Sequence, residues 1–157
     1  MMPSAMSQRT FTRTTSVATS AASLFAWHEQ PGAFERLTPP GEPVRVLRHV
    51  GGIRDGARVS VRVGFWPFSF RWDLAHTDYR PGESFTDVQV RGPFTLWRHQ
   101  HRMVPVGPDS CTLEDRIEFE LPYGVLGTLV ARLVLEPKLQ RLFDYRHRVT
   151  RDAFRVV

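Results

Sequence analysis

The order of the secondary-structure patterns constrains the fold of this chain most strongly. One strand pattern, over residues 9–16, precedes two short helical patterns; six further strand patterns then follow one another before a single long helical pattern over 123–150. One helix cannot cover a flat sheet of seven strands, so the sheet must curl around the helix. The sequence therefore predicts an α+β fold, in which a curved seven-stranded antiparallel sheet wraps around the long C-terminal helix and encloses space against it.

Glycine and proline residues between the patterns mark the boundaries of these elements. The first helix is predicted over 21–28, and Pro31 suits the first turn of the second. The six consecutive strands are predicted at 44–50, 57–66, 68–79, 84–91, 94–105 and 110–121. The long helix carries apolar residues at helical spacing, namely Leu126, Leu129, Val130, Leu133 and Val134. Pro137 should kink or split this helix, because proline has no amide hydrogen to donate.

Length and composition indicate one domain without a membrane span. A chain of 157 residues is typical of a single domain; we expect a disordered start over 1–6 and one domain over 7–157. The longest apolar run, 125–135, is too short to span a bilayer and contains Arg132. Cys111 is the only cysteine, which excludes an intramolecular disulfide. These features predict a cytoplasmic protein.

The basic charge has two interpretations. A net charge of +5 and a pI of about 10.3 are typical of proteins with an anionic partner. However, the arginines are spread along the chain and alternate with apolar residues on the strands, and no basic run reaches five residues. We therefore do not expect a nucleic-acid partner. The edge strands of such a sheet would allow a homodimer.

Strand periodicity predicts a polar cluster inside the aromatic interior. Asp115 falls among the apolar, inward positions of strand 110–121, and His99 and His101 share the inward face of strand 94–105. Asp115 should lie opposite His101 or His99, depending on the register. The predicted lining of the enclosed space comprises Trp72, His76, Trp97, His99, His101, Met103, Asp115, Phe119 and Phe143.

Burying a carboxylate in such an interior costs free energy unless the carboxylate is paired. The expected pairing of Asp115 with His99 or His101 has two interpretations. His99 or His101 with Asp115 could anchor a ligand or act as an acid/base pair, which makes these three the candidate catalytic residues. The same residues could also form a structural hydrogen bond without any chemistry.

Other chemistry finds little support in the sequence. Two imidazoles on one strand face can bind a metal, and His76 or Asp87 is conceivable as a third ligand, but no spacing supports either. We therefore predict no metal and no cofactor. Nucleophile-elbow, P-loop and dinucleotide fingerprints are absent from the sequence. Cys111, on a core strand, is expected to be a small apolar filler.

Several local strings resemble one family. They are Phe25-Ala-Trp-His-x-x-Pro-Gly-Ala-Phe-x-Arg-Leu-Thr-Pro-Pro40, Gly92-Pro-Phe-x-x-Trp-Arg-His-x-His101, Glu114-Asp-Arg116 and Tyr145-Arg-His147. Together with the element order they resemble the START-like, or SRPBCC, superfamily of polyketide cyclases and lipid-transfer domains, and most closely its bacterial ligand-binding group. The resemblance covers about residues 10–151 and implies the helix-grip fold of this superfamily, a seven-stranded sheet around the C-terminal helix with a cavity between them.

Two functions follow as hypotheses. The aromatic interior and the implied cavity favour binding of a hydrophobic or aromatic small molecule without catalysis. The alternative is an enzyme resembling the polyketide cyclases or dehydratases, in which His99 or His101, oriented by Asp115, acts as general base. Fold alone does not choose between them.

Overall fold

A computed structural model describes residues 8–155 of the chain, and the expectation for residues 1–6 lies outside that range. Seven antiparallel strands form one sheet in the order β1-β7-β6-β5-β4-β3-β2. The strands are β1 (Arg9–Val17), β2 (Val44–Val50), β3 (Arg58–Val63), β4 (Phe70–Arg80), β5 (Ser84–Arg91), β6 (Leu96–Gly107) and β7 (Ser110–Glu120). The first strand thus pairs with the last, and the predicted meander accounts for the rest of the sheet.

Helices occupy the predicted places in the chain. The two short helices between β1 and β2 are α1 (Ala21–Glu29) and α2 (Ala33–Arg36). The Ser20 hydroxyl caps α1 by accepting a hydrogen bond from the amide of Ser23 at 3.1 Å. After β7 the chain forms α3 (Gly124–Val130), a π-helical segment (Ala131–Leu135) and α4 (Glu136–Ala153). The predicted helix-grip architecture is confirmed.

Pro137 lies in the first turn of α4, directly after the π-helical segment. The chain stays helical through this junction, because Val130, Ala131, Leu135 and Glu136 all have right-handed helical backbone angles. Pro137 therefore does not split the helix into separate pieces, and the hydrogen-bonding pattern changes from π to α next to it.

Residues 64–69 form a loop, whereas the sequence pattern predicts strands in most of this region. The patterns 57–66 and 68–79 place Phe65 and Phe68 on the inward face, but these side chains are 73% and 88% exposed. Strand β3 ends at Val63 because Gly64 adopts a φ of +94°, a conformation that carries the chain out of the sheet. The exposed rings therefore belong to a hairpin loop and not to the core.

The buried stripe of the C-terminal helices starts with small residues. Gly127 and Ala131 are buried in α3 and the π-helical segment, and Leu139, Phe143 and His147 continue the stripe along α4 at intervals of four. The larger apolar residues Leu126, Leu129, Val130, Leu133 and Val134 flank the stripe and are 42–63% exposed. This half of the helix thus keeps an apolar surface in contact with water. No helix within residues 8–155 is long and apolar enough to cross a membrane.

Gly127 is predicted to be required for the position of α3. A Cβ at this residue would overlap the carbonyl oxygen of Pro122, which belongs to the backbone and cannot rotate away. Gly127→Ala should lower the free energy of unfolding by about 1–3 kcal/mol, despite a gain in helix propensity of about 1 kcal/mol. Urea denaturation measures the difference. Gly107→Ala is the matched control, because the added methyl meets only the Ser110 hydroxyl, at 3.1 Å; equal losses in the two variants would contradict the argument.

Candidate functional site

A layer of polar side chains lies between two apolar clusters in the interior. The first apolar cluster surrounds α1 and includes Phe85, Met103 and Leu113. The second lies against α4 and includes Trp97, Ile117, Phe119 and Phe143. The polar layer consists of Asp87, His99, His101, Asp115 and His147, all buried. Along β6, β7 and α4, the inward-facing residues change from apolar to polar at the same depth of the interior. The polar layer is formed where these changes coincide.

The strand register brings the polar layer together. His101 is the Cα partner of Asp115 across β6 and β7, which is one of the two predicted pairings. On the other side of β6, His99 is the partner of Asp87 on β5. Both histidines therefore lie between two carboxylates contributed by neighbouring strands.

Asp115 contacts three imidazoles. Its Oδ1 lies 2.8 Å from Nε2 of His99 and 2.9 Å from Nδ1 of His101. Its Oδ2 accepts a hydrogen bond from Nε2 of His147, at 2.6 Å. Both carboxylate oxygens are thus fully used by ring nitrogens, which offsets the cost of burying the charge.

Asp87 faces the opposite nitrogens of the same two rings. Its Oδ2 lies 3.3 Å from Nδ1 of His99 and 3.2 Å from Nε2 of His101. Its Oδ1 accepts a hydrogen bond from the indole nitrogen of Trp97, at 3.1 Å. His99 and His101 therefore each present both ring nitrogens to carboxylate oxygens, and their ring centroids are 3.8 Å apart.

These contacts shift the pKa values in opposite directions. Burial by itself would raise the pKa of Asp87 and Asp115, but the adjacent imidazoles outweigh it and hold both pKa values well below the ordinary range. For His99, burial lowers the pKa, while the two carboxylates raise it more, to about 9. Burial lowers the pKa of His28 and of His76 to about 4, so both are neutral at pH 7.

The structure unites most, but not all, of the predicted lining. Phe143 packs edge-on against His99 with ring centroids 5.3 Å apart, and Trp97 lies 4.8 Å from Trp72; Phe119 joins the same apolar cluster. Met103 lies in the other apolar cluster, beyond the polar layer. His76 packs beside Phe85, and its Nδ1 is buried without a hydrogen-bond partner among residues 8–155.

Two polar residues of the layer, His147 and Asp87, were not assigned to the inward face from the sequence. His147 follows Phe143 by four residues, a spacing that places both on one face of α4 and could have indicated its inward position. Asp87 was assigned to neither face of its strand. The reason is that Ser84, Phe85, Thr86 and Asp87 are all buried, so this part of β5 lacks the usual alternation of burial.

Two surface clefts lie away from the polar layer. A cleft of about 480 Å³ is bounded by the start of β2 and by loop 64–69. Another, of about 420 Å³, lies between the β4–β5 turn, with Arg80 and Glu83, and the part of β6 that carries Met103 and Pro105. No residue of the polar layer lines either of them. Within the layer, Asp87, His99 and His101 each offer one donor atom within 4.8 Å of the others, a separation that suits a metal ion.

Asp115→Asn is predicted to destabilise the protein strongly. The amide cannot compensate the positive charge on His99, and it replaces an acceptor oxygen beside buried ring nitrogens with a donor. Breaking a buried ion pair from one side costs about 3–5 kcal/mol, which urea denaturation at pH 7 would measure. Asp109→Asn, in the exposed β6–β7 turn, is the control and should change stability by less than about 0.5 kcal/mol. A similar small effect for both variants would contradict the pairing.

Stability should pass through a maximum near pH 6.5 in chelator-treated protein. The pKa of His99 rises to about 9 on folding, so its contribution is complete below about 6.5, the ordinary value, and is lost as the pH rises towards 9. The pKa values of His28 and His76 fall to about 4, so their contribution is complete above about 6.5 and is lost as the pH falls towards 4. Thermal unfolding between pH 4 and pH 9 tests this. A melting temperature that still rises above pH 7 would contradict the assignment for His99.

Solved structures with the same fold include enzymes and a START protein. Norcoclaurine synthase from Thalictrum flavum superposes with a TM-score of 0.70 at 17% identity, over 93% of this chain and 96% of that one. An aromatase/cyclase from Streptomyces sp. R1128 gives a TM-score of 0.71 at 17% identity, over 93% of each chain. A START superfamily protein from Mycobacterium smegmatis gives 0.66 at 20% identity, over 92% and 98%. At these identities the similarity shows the fold alone.

The amino-acid sequence itself shows the family. No curated protein matches the chain by sequence. The family model described as polyketide cyclase/dehydrase and lipid transport, however, matches residues 17–143, from the end of β1 to the middle of α4. This match confirms the family expected from the sequence motifs. The chain belongs to the polyketide cyclase/dehydrase and lipid transport family.

Proposed function

We propose that this domain binds an apolar, ring-containing small molecule against an aromatic triad formed by Trp72, Phe94 and Trp97. The observation that carries the proposal is the position of the triad. Its rings contact one another with centroids 4.8–5.7 Å apart. Trp72 and Phe94 are only half-buried, whereas Trp97 is buried and donates to Asp87 in the polar layer. The triad therefore extends from solvent to the polar layer.

The exposed apolar surface of α3 and the π-helical segment supports this proposal. Leu126, Leu129 and Leu133 are each more than half exposed, and contiguous apolar surface on a monomer commonly marks a binding site. Leu135, at the end of the same segment, packs against the second apolar cluster together with Trp72 and Phe94. An apolar ligand beside the triad would thus also be close to this surface.

The hydrogen bonding of the histidines favours binding over catalysis. A general base needs a ring nitrogen with a free lone pair close to substrate. Both nitrogens of His99 and of His101 face carboxylate oxygens within 3.3 Å. A carboxylate accepts hydrogen bonds and does not donate them, so the contacts of His99 leave neither of its nitrogens free to take a proton from a substrate. The polar layer accordingly does not suit a proton-abstracting pair, and its hydrogen bond with Trp97 fixes the buried ring of the triad.

The family description is consistent with either use of the site, because it includes both cyclisation and lipid transport. The aromatase/cyclase from Streptomyces is named for an activity on ring systems. A ligand with fused rings would match the flat faces of Trp72 and Phe94, since stacked or edge-to-face rings add about 0.5–1.5 kcal/mol per pair to the burial of area.

1-Naphthol, which combines a fused ring with one hydroxyl, is a suitable probe. We expect saturable binding below about 1 mM, a change in tryptophan fluorescence and a higher melting temperature. Trp72→Ala should weaken the binding at least about tenfold, since it removes a ring of the triad. Lauric acid, tested in parallel, shows whether a flexible chain is preferred to rings.

Trp27→Ala is the matched control for this experiment. Trp27 is also half-buried, but it lies on α1 beside Phe154 and outside the triad. Its substitution should leave the affinity for 1-naphthol within about twofold of the wild type. An absence of binding by both probes, or equal losses in the two tryptophan variants, would contradict the proposed function.

A further inference from the structure

We propose that Asp87, His99 and His101 form a binding site for one divalent transition-metal ion, with Asp115 as the hydrogen-bonding partner of the two histidine ligands and His147 as the hydrogen-bonding partner of Asp115. The proposal does not depend on which small molecule the domain binds. It rests on the convergence of three donor atoms, on the contacts of the opposite ring nitrogens and on the burial of two carboxylates.

Three donor atoms converge on one point. Oδ2 of Asp87 lies 3.3 Å from Nδ1 of His99 and 3.2 Å from Nε2 of His101, and the three donors lie within 4.8 Å of one another. Neighbouring ligands of a tetrahedral ion with bonds of about 2.0–2.1 Å are about 3.3 Å apart. The carboxylate oxygen and each of the two nitrogens are therefore already spaced as neighbouring ligands of such an ion.

The remaining contacts resemble the surroundings of a metal centre. A metal-bound imidazole usually donates its second nitrogen's hydrogen to a carboxylate, which fixes the ring. Here the second nitrogens, Nε2 of His99 and Nδ1 of His101, lie 2.8 and 2.9 Å from the same oxygen of Asp115. The other oxygen of Asp115 accepts from His147. Trp97 similarly holds Oδ1 of Asp87, the oxygen that faces away from both histidines.

The burial of two charged carboxylates also favours a bound cation. Asp87 and Asp115 are only 8% and 4% exposed, and the guanidinium of Arg146 is the charged group, besides the imidazoles, that interacts electrostatically with both. A divalent cation coordinated by the imidazoles would replace the proton that His99 carries in the metal-free protein and would add one further positive charge beside the two carboxylates. His76, the Cα partner of Asp87 on β4, adds a buried imidazole whose Nδ1 has no hydrogen-bond partner among residues 8–155.

The donor set indicates the class of ion. Two imidazoles and one carboxylate suit zinc, iron(II) or cobalt(II), whereas magnesium and calcium prefer oxygen ligands alone. Three protein ligands leave at least one position for water or for an oxygen of a bound molecule, as in catalytic and not structural zinc sites.

Metal titration of protein purified without a histidine tag tests this proposal. After chelator treatment and dialysis, calorimetry with zinc chloride should give one ion per chain and a Kd below about 1 µM. Cobalt(II) should produce visible absorption bands of the intensity typical of four- or five-coordinate ions. Asp87→Asn should weaken zinc binding at least about 100-fold, and Asp115→Asn about 10–100-fold without changing the stoichiometry.

His49→Gln is the control, because His49 is exposed and lies outside the polar layer; its affinity for zinc should equal that of the wild type. Circular dichroism establishes which variants fold. If Asp87→Asn does not fold, imidazole NMR of the wild type decides instead: zinc must shift the His99 and His101 resonances and leave those of His49 in place. Weak or non-stoichiometric zinc binding by the wild type, or wild-type affinity in folded Asp87→Asn, would overturn the proposal.

Discussion

Two aspartates lie in the interior of this protein with almost no contact with water, and the arrangement around them depends on how their charge is compensated. Asp87 and Asp115 come from β5 and β7, and the strand between them supplies the two imidazoles that contact both. Moving β6 by one residue would turn His99 and His101 to the outer face, which would leave Asp87 without its imidazole partners and Asp115 with His147 alone. The polar layer therefore favours one register of these three strands in addition to forming a candidate site.

The C-terminal helix completes the layer from the other side of the interior. Leu139 and Phe143 pack on the second apolar cluster, and one turn further along α4 His147 reaches Asp115. Nearer its start, the helix approaches the sheet through Gly127 and Ala131, which are small, and its larger apolar residues stay exposed. The same helix thus closes the interior at the polar layer and leaves an apolar surface exposed on α3 and the π-helical segment.

Much of this arrangement could be predicted from the sequence, because strand periodicity and glycine or proline punctuation are local signals. They placed His99, His101 and Asp115 on inward faces and gave the order of the elements. The choice between His99 and His101 as the partner of Asp115 required the register, and the structure shows that Asp115 contacts both. Asp87 could not be assigned to a face, because its strand is buried on both faces at that level and shows no alternation. Phe65 and Phe68 were misplaced because a positive φ at Gly64 ends the strand, a feature that alternation of apolar residues does not reveal.

The protonation of His99 in chelator-treated protein tests the central claim, that buried carboxylates hold this imidazole between them. Nitrogen-15 NMR of the imidazole reports directly whether each ring nitrogen carries a hydrogen. The account predicts that His99 keeps both hydrogens through neutral pH and loses one with a midpoint near 9. A midpoint at or below about 6.5, the ordinary value for histidine, would contradict it.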